Sequence, residues 1–342
     1  MPRHRILLTV IVSLTLLSLS SMVTSCSPVA NDSRIASWSG GLIIDHNCID
    51  LSLIPGEWIE SAQDDIRIHY AHTSHGGQIT TGLSRLESAN STFDVSIGYL
   101  VLPTDSDALC ILDGNPPESY ITPDLYWQGE SALELTQKTI DDNPALTISL
   151  WSWCTQVDSY SEQDVQDYLD AMTSLEIANP DVTFIYMTGN AQAGGSSGYN
   201  RWLRNEQIRQ YCLDNDKILF DFADLDCWSN GDYSTYDYVV GEETLEIPIE
   251  HPDFNGDEAA HTTYTSCEQK GKAFWWLVAN LAGWNAPNPT TIPSSTTTSS
   301  QTNSTTSTNT QITGQITLSD VFLPISIVSV VLITGYALFR RR

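Results

Sequence analysis

Ser74 closes an apolar stretch, Ile66-Arg-Ile-His-Tyr-Ala-His-Thr-Ser74-His75-Gly76-Gly77, in which two glycines allow the chain to turn directly after the serine. Far downstream, Glu258-Ala-Ala-His261 sets an acid three residues before a histidine. A hydroxyl is a weak nucleophile until a base takes its proton and donors receive the oxyanion. A serine early, with an acid and a histidine late, is one order in which a hydrolytic triad can be assembled. Ser74 is then the nucleophile, His261 the base and Glu258 the group that orients it, with neighbouring Asp257 equally placed for that last role. Such chemistry requires no cofactor. Candidates to line the site or serve the oxyanion are His75, Gly114, Gln156 and Asn190. Gly114 lies in Asp113-Gly-Asn-Pro-Pro, which reads equally well as a simple turn.

The histidines support a second chemistry. His72, His75 and His261, with an acid such as Asp45, could bind a metal, although their spacing is not a standard ligand signature. Alternation along a strand puts His69 on the opposite face from His72 and Ser74, so His69 is expected to be a hydrogen-bonded core histidine.

Elements that would position these residues alternate along the chain. Strands are expected at Ile66–Thr73, Phe93–Leu102, Leu146–Trp153, Val182–Met187 and Lys217–Phe222. Helices are expected at Gln78–Ser88, Ser131–Ile140, Ser161–Ala178, Arg201–Leu213 and Lys270–Leu281, the third capped by Ser161. Alternation of this kind implies a parallel sheet covered on both faces, with ligands beyond the carboxyl ends of the strands. Ser74, Cys154, Thr188-Gly189-Asn190 and Asp221 all stand at such ends. Trp127, Trp151, Trp153, Trp202 and Trp228 read mainly as core or rim residues, some of them able to stack on sugar rings.

This order of elements resembles the SGNH/GDSL hydrolase family over roughly residues 60–283. In that family a Gly-Asp-Ser block carries the nucleophile, and His72-Thr73-Ser74 stands in its place here. The family closes with Asp-x-x-His before its last helix, where this chain has Glu258-x-x-His261. The resemblance implies a three-layer αβα sandwich with a mainly parallel sheet, of flavodoxin-like layout. It also implies serine esterase or deacylase action on an extracellular acylated substrate, a glycan being one candidate. Two departures matter. Gly-Asp is replaced by His-Thr before the serine, and the family's Gly-x-Asn-Asp block is replaced by Trp151-Ser152-Trp153-Cys154-Thr155-Gln156. The oxyanion asparagine is therefore missing, with Gln156 as its substitute. These departures leave a catalytically inactive surface-binding module and a metal-dependent hydrolase as rival readings.

The ends of the chain suggest export. Residues 1–25 read as a signal peptide, with Arg3 and Arg5 ahead of an apolar run. Val23-Thr24-Ser25-Cys26 resembles a lipobox that would place lipid on Cys26, and an ordinary signal peptide is equally open. Residues 26–34 form a mature N-terminal segment and 35–285 an ectodomain. Residues 286–318 form a Ser/Thr-rich stalk unable to bury a core. Residues 319–342 hold an apolar run, Phe322–Leu338, ahead of Arg340-Arg341-Arg342, which reads as a transmembrane anchor with a cytoplasmic tail. A removable sorting tail would share that layout.

The formal charge is −27, and the exported part alone carries 10 basic against 41 acidic residues, or −31. Phosphate binding requires clustered Lys and Arg, so nucleic acid is excluded as a partner. The expected partners are a membrane, through the C-terminal helix and lipid on Cys26, and a small-molecule or glycan ester. Apart from Cys26, six of the seven cysteines remain, an even number that predicts up to three disulfides in an exported chain.

Overall fold

The computed structural model describes residues 41–286. The expected signal segment, Cys26, most of the stalk and the C-terminal apolar run lie outside the described residues. Among the described residues no helix is long and apolar enough to cross a membrane.

Seven parallel strands form the central sheet. They are β1 (Leu42–Ile44), β2 (Arg67–His72), β3 (Val95–Tyr99), β4 (Leu109–Asp113), β5 (Ile148–Ser152), β6 (Thr183–Met187) and β7 (Ile218–Phe220), in the spatial order β1-β7-β6-β5-β2-β4-β3. Every residue of β4 and β5 is buried, as expected for strands covered on both faces. Helices α1 (Gly56–Asp65), α2 (Gly77–Ala89) and α7 (Tyr264–Leu281) pack together as one layer. Helices α3 (Glu130–Asp142), α4 (Glu162–Ala178) and α5 (Gly195–Asp214) pack as the other. A short α6 (Phe222–Cys227) leads into two small antiparallel pairs, β8 (Trp228–Ser229) with β9 (Asp232–Tyr233), and β10 (Thr235–Val240) with β11 (Glu243–Pro248). The α/β three-layer architecture expected from the sequence is the one observed.

The chain leaves β2 for β3 and β4 on one side, returns over β2 to β5, and continues outward through β6 and β7 on the other. The strand order therefore reverses between β2 and β5, the place outside whose carboxyl ends sheets of this kind bind their ligands. β2 pairs with β5 from Ile68↔Ile148 to His72↔Ser152. The residues that follow, Thr73-Ser74-His75 and Trp153-Cys154, are thus brought side by side.

Local chemistry fixes both segments. Beyond β5, the Trp151 indole donates to the Ile121 carbonyl at 2.9 Å and the Trp153 indole to the Met187 carbonyl at 2.8 Å. Both rings sit in a fully buried aromatic group with Trp127 and Tyr168, so these tryptophans belong to the core. Beyond β2, the Tyr70 hydroxyl donates to the Gly76 carbonyl at 2.8 Å. A Cβ on Gly76 would lie 2.3 Å from His72 Cβ, so only glycine fits that turn. Helix α2 is held against α7 by backbone contact at Gly82 and Gly271. A Cβ on Gly82 would stand 1.9 Å from the Cys267 carbonyl oxygen.

Helix α4 carries the expected Ser161 cap as a full capping box with Asp164. His69 is the expected buried histidine, bonded to Ser149 Oγ at 2.9 Å and the Gly114 carbonyl at 3.1 Å. Burial pushes its pKa down to about 4, which keeps it neutral.

Candidate active site: a cysteine, a histidine and an amide

Cys154 ends β5 and is half-buried at that carboxyl end. Its sulfur lies 3.0 Å from His75 Nδ1 and 3.3 Å from Ser74 Oγ. The other ring nitrogen of His75, Nε2, faces Gln192 Oε1 at 2.8 Å. Gln192 in turn donates from Nε2 to the His261 carbonyl at 2.6 Å and to Glu250 Oε1 at 3.0 Å. Those two acceptors fix the orientation of the amide, which therefore presents its oxygen to His75. A neutral His75 must then carry its proton on Nε2 and turn the Nδ1 lone pair toward the thiol. If the thiol proton moves to Nδ1, both ring N–H groups have acceptors.

Electrostatics favour that transfer. Burial alone would push the Cys154 thiol up, but hydrogen bonds from His75 and Ser74 and the charge of His75 outweigh it, holding the thiol down at about 6. His75 responds in the opposite sense. Burial would lower it, while its contacts with Cys154 and Gln192 raise it above the ordinary histidine value. The two shifts describe one thiolate–imidazolium pair. The remaining five cysteines are the contrast. Burial pushes Cys48 to about 12 and Cys267 to about 11, and raises Cys110, Cys212 and Cys227. All six cysteines of the described residues are free thiols, so the disulfides expected from their even number are not formed. They stand on separate elements, and Cys154 alone among them is held below the ordinary thiol value.

The backbone around Cys154 is tied off on both sides. Its N–H donates to Gln156 Oε1 at 2.7 Å, and its carbonyl accepts from Asn190 Nδ2 at 2.7 Å. Asn190 also accepts from the Gln192 N–H at 3.0 Å, linking nucleophile and orienting amide through one side chain. On the facing side, the first backbone bond of the α2 turn runs from Gly77 N to the Ser74 carbonyl. The amides of Ser74, His75 and Gly76 precede it and have no intrahelical acceptor, which makes the head of α2 a donor-rich place for negative charge. The Thr73 hydroxyl is buried there and is without another partner among the described residues.

The residues expected from the sequence are distributed as follows. Ser74, His75, Gln156, Asn190 and His261 gather around Cys154, but the relay Ser74–His261–Glu258 is not formed. Ser74 bonds to the sulfur, and His261 packs its ring on His75 with centroids 4.9 Å apart. Glu258 accepts the Tyr264 N–H at 2.7 Å and, with the Thr263 hydroxyl as N-cap, satisfies the first turn of α7, which begins at Tyr264 and not Lys270. Asp257 is exposed. Gln156 uses its oxygen on the Cys154 amide. Gly114 has φ +110° and accepts from His69, a turn at the end of β4. The metal reading through His72, His75 and His261 does not assemble either. His72 Nδ1 meets the Thr73 carbonyl at 2.6 Å and its Nε2 lies 3.2 Å from Asp113, while His75 is engaged on both nitrogens. Among the described residues the one group spaced for a metal is Asp45, His46 and Asp224, where His46 Nδ1 already bonds Asp224 at 2.6 Å.

No family model matches the chain, and no curated protein matches it. The site is therefore read from its own chemistry.

Gln192 and Glu250 were not singled out by the sequence, and Cys154 was placed at a strand's carboxyl end without a chemical role. The legible signal was positional: a His-Gly and a Cys, each directly beyond an apolar strand, since parallel strands share their carboxyl end.

Proposed function

We propose that this protein is a thiol-dependent acyl hydrolase, with Cys154 as nucleophile, His75 as general acid and base, and Gln192 as the group that orients His75. The observation that carries this reading is the 3.0 Å contact between Cys154 Sγ and His75 Nδ1, with an amide oxygen 2.8 Å behind the ring. The same three-part logic activates nucleophiles generally: a base within hydrogen-bond reach, itself oriented by a third group.

The thiolate attacks the acyl carbon of an ester, thioester or amide, forming a C–S bond while the carbonyl pair moves onto oxygen. The amides at the head of α2 face that negative charge. His75 Nδ1–H gives its proton to the departing oxygen, sulfur or nitrogen as that bond breaks, leaving a thioester on Cys154. Water then attacks the thioester, His75 takes its proton, and the thiolate leaves. No external cofactor enters the balance.

The resemblance to SGNH/GDSL hydrolases supports the same reaction class and the same address beyond the strands, with sulfur in place of the hydroxyl. An exported, membrane-tethered protein acting on an acylated extracellular substrate is part of this proposal, and it rests on the terminal segments of the sequence. Ser74 as nucleophile is the second reading, favoured by its place 3.3 Å from the sulfur.

Two probes separate these readings. Iodoacetamide at neutral pH should label native Cys154 alone, and an acyl-thioester trap should be lost in Cys154→Ala. Fluorophosphonate labelling that survives Cys154→Ala and disappears in Ser74→Ala would move the nucleophile to Ser74. Failure of both probes would leave the inactive binding module.

A further inference from the structure

A buried acid stands one amide away from His75, and the hydrolytic steps leave it without a task. Glu250 is 8 % exposed and follows β11. Its backbone N–H donates to the Ala191 carbonyl at 2.7 Å, which anchors it to the loop that carries Gln192. Its Oε1 accepts from Gln192 Nε2 at 3.0 Å and from the Thr262 hydroxyl at 3.3 Å. Behind it lies a fully buried ion pair, Lys270 Nζ to Asp226 Oδ1 at 2.7 Å, and Asp226 also accepts the Ala191 N–H at 2.8 Å. A line of contacts therefore runs from the core to the sulfur: Glu250, Gln192, His75, Cys154.

We propose that Glu250 is a positioning residue for the Cys154–His75 pair, its carboxylate holding the Gln192 amide so that an oxygen always faces His75 Nε2–H. The inference rests on the thiol–imidazole reading of the site. A carboxylate can only accept, so it can meet only the NH₂ side of Gln192. A protonated carboxyl can donate, and it then meets the amide oxygen as well as the NH₂. Reversal of the amide would turn NH₂ toward His75 and force the ring onto its other tautomer, with a proton on Nδ1 where the thiol proton must go. The negative charge also polarises the amide and strengthens its oxygen as an acceptor, favouring imidazolium.

The groups facing Glu250 are Asp226 on α6, Lys270 on α7, His75 at the head of α2, His261 beside Thr262, and its chain neighbour His251. Burial first, then the like charge of Asp226, raise Glu250 to about 7, against the lowering effect of Lys270. The share of the hold on Gln192 that Glu250 supplies is thus present above that value and is lost as pH falls through it, leaving the His261 carbonyl as the remaining acceptor.

The test is the His75 titration midpoint in the full chain, read from exchange of the imidazole C2 proton by mass spectrometry, which needs no substrate. Glu250→Gln keeps the shape and removes the charge. It should lower the His75 midpoint by about one unit. Gln192→Ala, a truncation on a half-buried loop, should lower it at least as far, and adding Glu250→Gln to it should shift it no further. An unmoved midpoint in either single variant overturns the proposal. So does a full second shift in the double variant, which would mean that the charge acts through space. If Glu250→Gln does not fold, Glu250→Asp takes its place: it keeps the charge but withdraws the oxygen from Gln192, and an unmoved His75 midpoint in it overturns the proposal equally. The hydrolase reading fails separately, if wild-type Cys154 alkylates with the midpoint of an ordinary thiol while His75 still responds to Glu250.

Discussion

His75→Gln removes both the hydrogen bond and the charge that hold the Cys154 thiol at about 6, leaving the Ser74 hydroxyl against burial, which raises it. The thiol should return to 9.0, its ordinary value, or above. The thiolate fraction at pH 5 would then drop from about one in ten to about one in ten thousand, or roughly 900-fold. Each thiolate, however, becomes a better nucleophile as its basicity rises, by about 20-fold over three units at a Brønsted slope near 0.45. Alkylation should therefore slow by only about 40-fold at pH 5 and about 4-fold at pH 7, and the two profiles should cross near pH 8. Above that crossing the variant is the faster thiol. The assay is the rate of iodoacetamide addition to the Cys154 peptide between pH 4.5 and 9.5, read by mass spectrometry in the full chain. Parallel profiles that never cross would refute the argument, because they would mean that His75 does not set the charge of the sulfur. A rate measured at neutral pH alone would show only about a tenth of the effect seen at pH 5.

Other consequences are simpler to check. Lys270→Met leaves the Asp226 carboxylate buried and without its ion-pair partner, and should destabilise the fold by about 3–5 kcal/mol in chemical denaturation. Gly82→Ala drives a methyl into the Cys267 carbonyl, and melting should report a loss of about 3 kcal/mol or more as α2 and α7 are forced apart. Thiol counting should find one fast-reacting cysteine in the native domain and five more only after denaturation, since burial raises all five. A native protein with no reactive thiol at all would contradict the free cysteines described here.

Much of the fold was legible because local pattern and tertiary role agree. β5 and β6 are mostly apolar, α4 announces itself with Ser161 and Asp164, and the turn after β2 needs the glycine that the sequence supplies. What was missed has physical causes. β1 is three residues long, too short for a period to show, and β4 is hidden between acidic turns. The β10–β11 hairpin is largely exposed, and its narrow apolar face of Tyr236, Tyr238, Leu245 and Ile247 is set among acidic residues. The site was harder. Its serine, two of its amides and its histidines were recognised as neighbours, but the pairing among them depends on β2 lying against β5. That adjacency skips β3 and β4 and cannot be read from chain order. Cys154 was counted as one of six cysteines in an exported chain, where pairing is the default expectation. Only the distance to His75 distinguishes it from the other five.

Both backbone groups of Cys154 are already spoken for, the N–H by Gln156 and the carbonyl by Asn190. Under the proposed thiol chemistry, the oxygen of an approaching carbonyl therefore finds no donor on Cys154 itself, and the amides at the head of α2 are the ones left to receive it. A site whose oxyanion donors and proton donor come from different residues on fixed elements is a chiral one, so the two enantiomers of an inhibitor made for it should differ in affinity even where every atom type is the same.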